Sequence, residues 1–446
     1  MADKIILSAG YMCDMTFFNE TPDGEAFIHH VNGQWLFDKK VFWSWLRPLA
    51  NAGISLHRIA LYCVGGDRLR SECFMPWEFL PSWDAWDLGV KNQVFFDILR
   101  EMVIEANKMK ARLVANGIGV RIMVCVLNEC EERKADRREQ SPFYHNVNGV
   151  TGLYDRKALP FIATLTEWIL EALAGTDFAI ELINEGHRRK SGSVEAVEAM
   201  LPKLLAADVK PWNISLGADV IDYTYTHPDV DFRERWPNEL HPPDFENYDL
   251  FMNRLVKVYD KKYPNATHEA FYVSHSFAEG APMDYGKERP YGARTDYTKT
   301  VWVDRNLASN RICFSTDGAK NADLPGGRPS AARMKAAMLY VMQSNPRYKA
   351  TPLIDGKPKL WFDYLPNHQT TAQIAEVVQA MAEAHKQFFG EWPVNWGNVP
   401  TYEEMYPKIE PPDEPPDPPC TIWDHLKRLN FKAAWEHLLG RHNDKL

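Results

Sequence analysis

Residues 178–186 read Phe-Ala-Ile-Glu-Leu-Ile-Asn-Glu-Gly. A short, mostly apolar run of this kind fits a buried parallel strand, and it stops at an Asn-Glu pair followed by glycine. Where parallel strands end, their last side chains project into the face on which α/β sheets and barrels build their sites. A carboxylate there, beside an amide able to hydrogen-bond a substrate hydroxyl, suits general acid/base work on a C–O bond. Asn184 and Glu185 are therefore the first candidates for chemistry. Their weight depends on whether the chain supplies more strands of the same kind.

It does. Strand-like runs at 5–9, 55–62, 120–127, 212–217, 270–277, 311–316 and 359–364 alternate with segments of helical periodicity. The helical segments are 38–51, 92–116, 158–174, 194–207, 246–262, 295–308, 329–342 and 371–389. Gly53 and Gly390 stand just past two of these segments, where a helix stop is expected. With the Asn-Glu strand this makes about eight βα units, the pattern of a (β/α)8 TIM barrel with long βα loops. The alternative is an open doubly wound sheet. No Gly-x-Gly-x-x-Gly follows the first strand, and Gly117-Ile-Gly119 lacks the third glycine and precedes a strand. One segment, Asp222–His227, reads either as an extension of the fifth strand or as a sixth strand; the second option shifts every later strand by one.

Composition narrows the function. Hydrophobic content of 45%, charged content of 25% and 446 residues describe a globular chain with ample core. A net charge of −9 argues against nucleic acid, whose phosphates need clustered Lys and Arg. The start has too short an apolar segment for a signal peptide, and no stretch is long enough to span a membrane. The seven cysteines show neither metal spacing nor a disulfide framework. These features predict a cytoplasmic protein, a secreted form with its leader removed being the alternative.

Arg58 lies inside the second predicted strand, Ser55-Leu-His-Arg-Ile-Ala-Leu, and an arginine there needs a partner because unpaired buried charge is costly. A carboxylate at the barrel mouth, or Asp363, could serve. Gly53 followed by this strand, with Asn184-Glu185 closing the fourth, resembles the clan A glycoside hydrolases, and the family 5 cellulase-like enzymes in particular. The likeness covers residues 5–390. It implies Glu185 as acid/base, Asn184 on a sugar hydroxyl and Arg58 supporting the nucleophile. It also implies an aromatic or histidine after strand six, matched by His275, or by His227 under the shifted count.

The chain departs from the pattern at strand seven. Ile312-Cys-Phe-Ser-Thr-Asp-Gly318 carries Asp317 where the clan has glutamate. Asp317 is then a nucleophile on an adjusted backbone, the base of an inverting enzyme, or no catalyst; Glu279 takes its place if the count shifts. Exposed aromatic faces stack on pyranose rings. Trp361 on the last strand and Trp77 in the loop after strand two, with Phe74, Phe79, Trp83 and Trp86, are the candidate platforms, a small loop core being the other use for the second group. A carboxylate and histidine metal site at the mouth is a weaker option, and neither cofactor nor metal is expected. His29-His30 reads as an exposed loop.

The expected reaction is hydrolysis of O-glycosidic bonds in an oligo- or polysaccharide. The other reading is a barrel without catalysis that binds glycan or serves as a structural piece. Residues 1–400 form the predicted catalytic domain and 401–420 a Pro-rich linker whose run Pro411–Pro419 favours extended geometry. Residues 421–446 form an amphipathic helix with Trp423 and Trp435, expected to dock back on the barrel, on a second copy or on a partner.

Overall fold

In the computed structural model the described residues are 5–9, 23–61, 69–109, 119–128, 140–184, 190–210, 213–217, 257–262, 272–274, 312–317, 324–325, 328–344, 353–354, 357–358, 360–365, 369–390 and 398–407. The chain divides into two units, residues 1–400 and 401–446.

The first unit is mixed α/β, and its strands in chain order are β1 (Ile5–Ala9), β2 (Ile28–Val31), β3 (Gln34–Phe37), β4 (Leu56–Ala60), β5 (Trp77–Leu80), β6 (Ala85–Lys91) and β7 (Arg121–Asn128). They continue with β8 (Phe178–Asn184), β9 (Ile214–Gly217), β10 (Tyr272–Ser274), β11 (Ile312–Asp317), β12 (Leu353–Ile354), β13 (Lys357–Pro358) and β14 (Leu360–Leu365). Eight of them pair in parallel in the order β1-β14-β11-β10-β9-β8-β7-β4, and Ser8 opposite Leu56 returns the order to its start. Two joints of this ring, β1 to β4 and β10 to β11, each rest on a single residue pair. An open doubly wound order would leave two edge strands; here β1 has neighbours on both sides. β10 stands between β9 and β11, so Tyr272–Ser274 is the sixth ring strand and Ile312–Asp317 the seventh. The ring has no place for a shifted count, and Asp222–His227 lies outside the described residues.

The helices are α1 (Lys39–Ala52), α2 (Gln93–Lys108), α3 (Leu159–Ala172), α4 (Lys190–Ala206), α5 (Ala331–Ser344) and α6 (Thr371–Phe389). They follow the first, second, third, fourth, seventh and eighth ring strands; the expected helices at 246–262 and 295–308 lie largely or wholly outside the described residues. Local chemistry sets their ends. Asp38 accepts from the backbone amides of Lys40 and Val41 at the start of α1, and Gly53 closes it in the left-handed conformation at φ 119°. Thr370 and Gln373 form a capping box on α6, with Gly390 at φ 80° after it.

The core lies between ring and helices. Phe42, Leu46 and Leu49 on α1 are fully buried, each worth about 1.5–3 kcal/mol on leaving water. His57 of β4 meets Trp45 of α1 edge-on at 4.8 Å, so this strand sends His57 toward the helices and alternate residues, Arg58 among them, into the ring. Two antiparallel hairpins, β2–β3 and β5–β6, stand in the loops after the first and second ring strands. Sequence periodicity did not reveal either. His29 and His30 belong to β2 rather than a loop, and His30 stacks on Trp35 at 4.5 Å.

The second unit is described over residues 401–407, where Thr401 and Glu404 cap a short helical turn, Tyr402–Met405. The proline run and the segment with Trp423 and Trp435 lie outside the described residues.

Candidate functional site

The ring fixes which strand ends share a rim. All eight strands run parallel, so β8 and β11, fourth and seventh in chain order, end on the same side. The last residue of β8 is Asn184, directly before Glu185 in the chain, and its register partner on β7 is Asn128. The last residue of β11 is Asp317, opposite Leu365. Asp363 and Trp361 follow the same alternation on β14, paired with Ser315 and Cys313.

Register also relates Arg58 to these positions. Leu56, Ser8, Asp363 and Ser315 form one row of paired residues around the ring. Arg58 stands two residues beyond Leu56, and Asp317 two beyond Ser315, so both occupy the next row toward the rim. By the two-residue period the two backbone positions belong to the same alternating set.

Arg58 does not depend on a carboxylate at the rim. Its Nε donates to Glu181 Oε2 at 2.6 Å and its Nη2 to Glu181 Oε1 at 2.5 Å, with side-chain exposures of 2% and 0%. This is a bidentate, charge-assisted pair inside the ring, crossing over β7. Arg58 is level with Met123 and Ala179, whereas Glu181 is level with Cys125, two residues nearer the rim. The guanidinium therefore leans toward the strand ends. Asp363, proposed from sequence as a partner, is not required for this role. Glu181 was overlooked because it interrupts an apolar run; the available signal was two lone charges of opposite sign in two buried strands.

Trp77 is a correction. Its ring is 1% exposed and meets Phe143 edge-on at 5.3 Å, so it has no open face for a sugar. Phe74 and Trp86 are buried as well. The β5–β6 loop uses most of its aromatic residues as a small core, with Trp86 backbone hydrogen-bonded to His145 and Val147. Trp83, at the hairpin tip, is the exposed member at 72%. Glu185, His227, His275 and Glu279 lie outside the described residues, and so does any metal or sugar contact they would make. For Asn184, Asp317, Trp361 and Asp363 the backbone position is what the structure describes.

A cavity of about 510 Å³ lies at the opposite end of the ring, among residues near the C-terminal ends of α3 and α4. Its charges are already matched, Lys203 with Glu167 at 2.5 Å and Lys210 and Lys262 with Asp208 at 2.6 and 2.7 Å. It offers no acid or base at a strand end. Among the described residues no helix is long and apolar enough to cross a membrane.

No protein-family model matches the sequence, and no curated protein does. Among solved structures the chain is similar to an endo-1,4-beta-mannanase from Rhizomucor miehei, at 10% identity over 81% of this chain and 100% of that one, with a TM-score of 0.41. It is also similar to a glycoside hydrolase family 5 mannosidase from Rhizomucor miehei, at 11% identity over 78% of this chain and 89% of that one, with a TM-score of 0.28. A mutant form of that mannosidase gives 12% identity over 79% and 89%, with a TM-score of 0.31. At this level the likeness assigns no residue, and the site rests on strand order and register.

Proposed function

We propose that this chain is a glycoside hydrolase built on a (β/α)8 barrel, acting on an oligo- or polysaccharide. The observation that carries the reading is the strand order: Asn184, directly before Glu185 in the chain, closes the fourth of eight parallel strands and Asp317 closes the seventh, so these two strands end on one rim. Two carboxyl groups flanking a cleft are what glycoside hydrolysis needs. Glu185 gives a proton to the leaving oxygen, and Asp317 acts as the second carboxylate. Asn184 is assigned to a substrate hydroxyl. Arg58, anchored by Glu181, supplies positive charge below the rim, while Trp361 and His275 are assigned to the sugar. No cofactor is invoked.

The test is a panel of aryl glycosides and polysaccharides assayed with wild type, Glu185→Gln and Asp317→Asn. Turnover by wild type and its loss in both variants is the expected result. A second reading, a barrel that binds glycan without cleaving it, is favoured by aspartate at strand seven where the resembling clan has glutamate. Saturable polysaccharide binding with no turnover by wild type would select it.

A further inference from the structure

We infer that the substrate of the proposed hydrolase is a polysaccharide chain extending beyond the strand ends, with Trp83 as an outlying platform for one of its sugar rings; this inference rests on the function proposed above. Trp83 is 72% exposed, whereas Trp43, Trp45, Trp77 and Trp86 are each at 1% or less. The chain path sets its position. β4 ends at the rim, and α2 leads back from the rim to the start of β7. The segment between them therefore begins and ends on the side where β8 and β11 also end. The β5–β6 hairpin belongs to this segment and is fastened to the loop after the third ring strand. Leu88 N donates to Asn148 Oδ1 at 2.7 Å, and Asn148 Nδ2 donates to Asp87 Oδ1 at 2.9 Å. Trp83 thus stands at the tip of a hairpin held against a neighbouring rim loop.

The tip is braced, and the face it offers is small. Trp83 N donates to Leu80 O at 3.0 Å, closing a turn through Pro81 and Ser82, and Asp84 follows at φ 45°. Arg70 holds Asp84 in place: its Nε donates to the backbone oxygen and to Oδ2, each at 3.1 Å, and its Nη2 also donates to Oδ2. A platform fixed beforehand loses little freedom when it binds. The exposed large apolar side chains here are Trp83 and Leu69, the residue before Arg70, at 66%. A stable protein partner needs about 1,000 Å² or more of interface with a packed apolar centre, which two side chains do not supply. One indole does match one pyranose face, and Ser82 and Asp84 are exposed beside it to bond ring hydroxyls. Stacking at a hairpin tip touches none of the reacting atoms. It binds ground state and transition state alike, so it acts on KM, and only for chains long enough to reach it.

The experiment compares wild type, Trp83→Ala and Trp83→Phe on hydroxyethylcellulose, glucomannan and soluble starch, by affinity gel electrophoresis and by turnover, with aryl glycosides as the short reference. Wild type is expected to be retarded by at least one polysaccharide and to hydrolyse it. Trp83→Ala should raise Kd and KM for that polymer about tenfold and lower the polymer-to-aryl-glycoside ratio of kcat/KM by the same factor. Trp83→Phe keeps a ring and should lose less than about threefold. Circular dichroism checks that both variants fold, as expected for a side chain this exposed. Unaltered polymer Kd and KM in Trp83→Ala, or proportional losses on polymers and aryl glycosides, overturn the inference and leave the hydrolase reading intact. Turnover of aryl glycosides by a wild type that neither binds nor cleaves any of the polymers does the same. A wild-type dimer that Trp83→Ala abolishes, seen by sedimentation, makes the face an interface between copies and also overturns it. Polymer binding weakened by Trp83→Ala, with no turnover by wild type, overturns the hydrolase reading and keeps Trp83 as a glycan platform. Neither binding nor turnover overturns both.

Discussion

Arg58 and Glu181 face each other over an intervening strand, joined by two hydrogen bonds of 2.6 and 2.5 Å in the interior of the ring. Ions withdrawn from water recover their desolvation through close, well-aligned partners, so removing either residue takes from the other its bidentate counterion. Arg58→Ala or Glu181→Ala should each lower the unfolding free energy by about 3–5 kcal/mol. The double change to methionine fills the same volume without charge and should lie within about 1 kcal/mol of wild type or above it. Urea unfolding followed by circular dichroism measures all three. Single-variant losses below about 1 kcal/mol, the scale of an exposed pair, would mean that the pair is solvated.

Gly119 makes a second prediction from packing alone. A Cβ built there would sit 1.8 Å from the backbone oxygen of Asn107 and 2.4 Å from its carbonyl carbon. Asn107 in turn ties the end of α2 to the starts of two ring strands, its Nδ2 donating to Val120 O at 3.1 Å and Asp177 O at 2.9 Å. Gly119→Ala must push this junction apart and should cost about 3 kcal/mol. Gly175 is the comparison: it has open space and φ 78°, so Gly175→Ala faces only the left-handed backbone strain, about 1–2 kcal/mol. Equal thermal shifts for the two alanine variants would contradict this account.

Most of the ring could be read from sequence because parallel strands and their covering helices carry strong, separate signals. Thr371–Phe389 was readable to the residue because the apolar face, Thr370 and Gly390 all agree. The hairpins were not, for two reasons. Residues 28–37 mix histidine, asparagine and aromatics, which hides the alternation; yet Asn32-Gly33 at φ 51° and 79° is the two-residue turn that joins such strands. Residues 77–91 looked like a loop with sugar platforms because composition does not distinguish a loop core from a binding face. The site was half legible. Strand-terminal residues announce themselves by position, whereas the partner of Arg58 is set by stagger between strands, which a one-dimensional pattern does not contain.

Glu185→Gln tests the acid. In the proposed role of protonating the leaving oxygen, Glu185 should contribute about 10²–10⁴-fold on unactivated glycosides. Nitrophenyl glycosides leave readily without a proton and should lose much less. Fold and stability should be unchanged, checked by circular dichroism. Equal losses on both substrate types would remove Glu185 from the acid role.

Asp317 carries the stereochemical prediction. It ends the seventh ring strand, and its side chain is one methylene shorter than the glutamate of the clan that this sequence resembles. A shorter side chain stands back from the anomeric carbon by about one C–C bond, which favours the wider separation of inverting enzymes, roughly 6.5–9.5 Å, over the 5–5.5 Å of retaining ones. The proposed role of Asp317 is then that of the base activating a water held between the carboxyl groups. Wild type should then release a first product of inverted configuration, read by proton NMR before mutarotation. Asp317→Asn should abolish turnover. Azide can replace the lost carboxylate as a small anionic nucleophile, and formation by Asp317→Asn of a glycosyl azide opposite in configuration to the substrate would place Asp317 beside the anomeric carbon in either mechanism. A retained anomer from wild type would overturn the inverting assignment and make Asp317 the nucleophile on an adjusted backbone. Full activity of Asp317→Asn would exclude it from the chemistry and leave Glu279 as the carboxylate to test next.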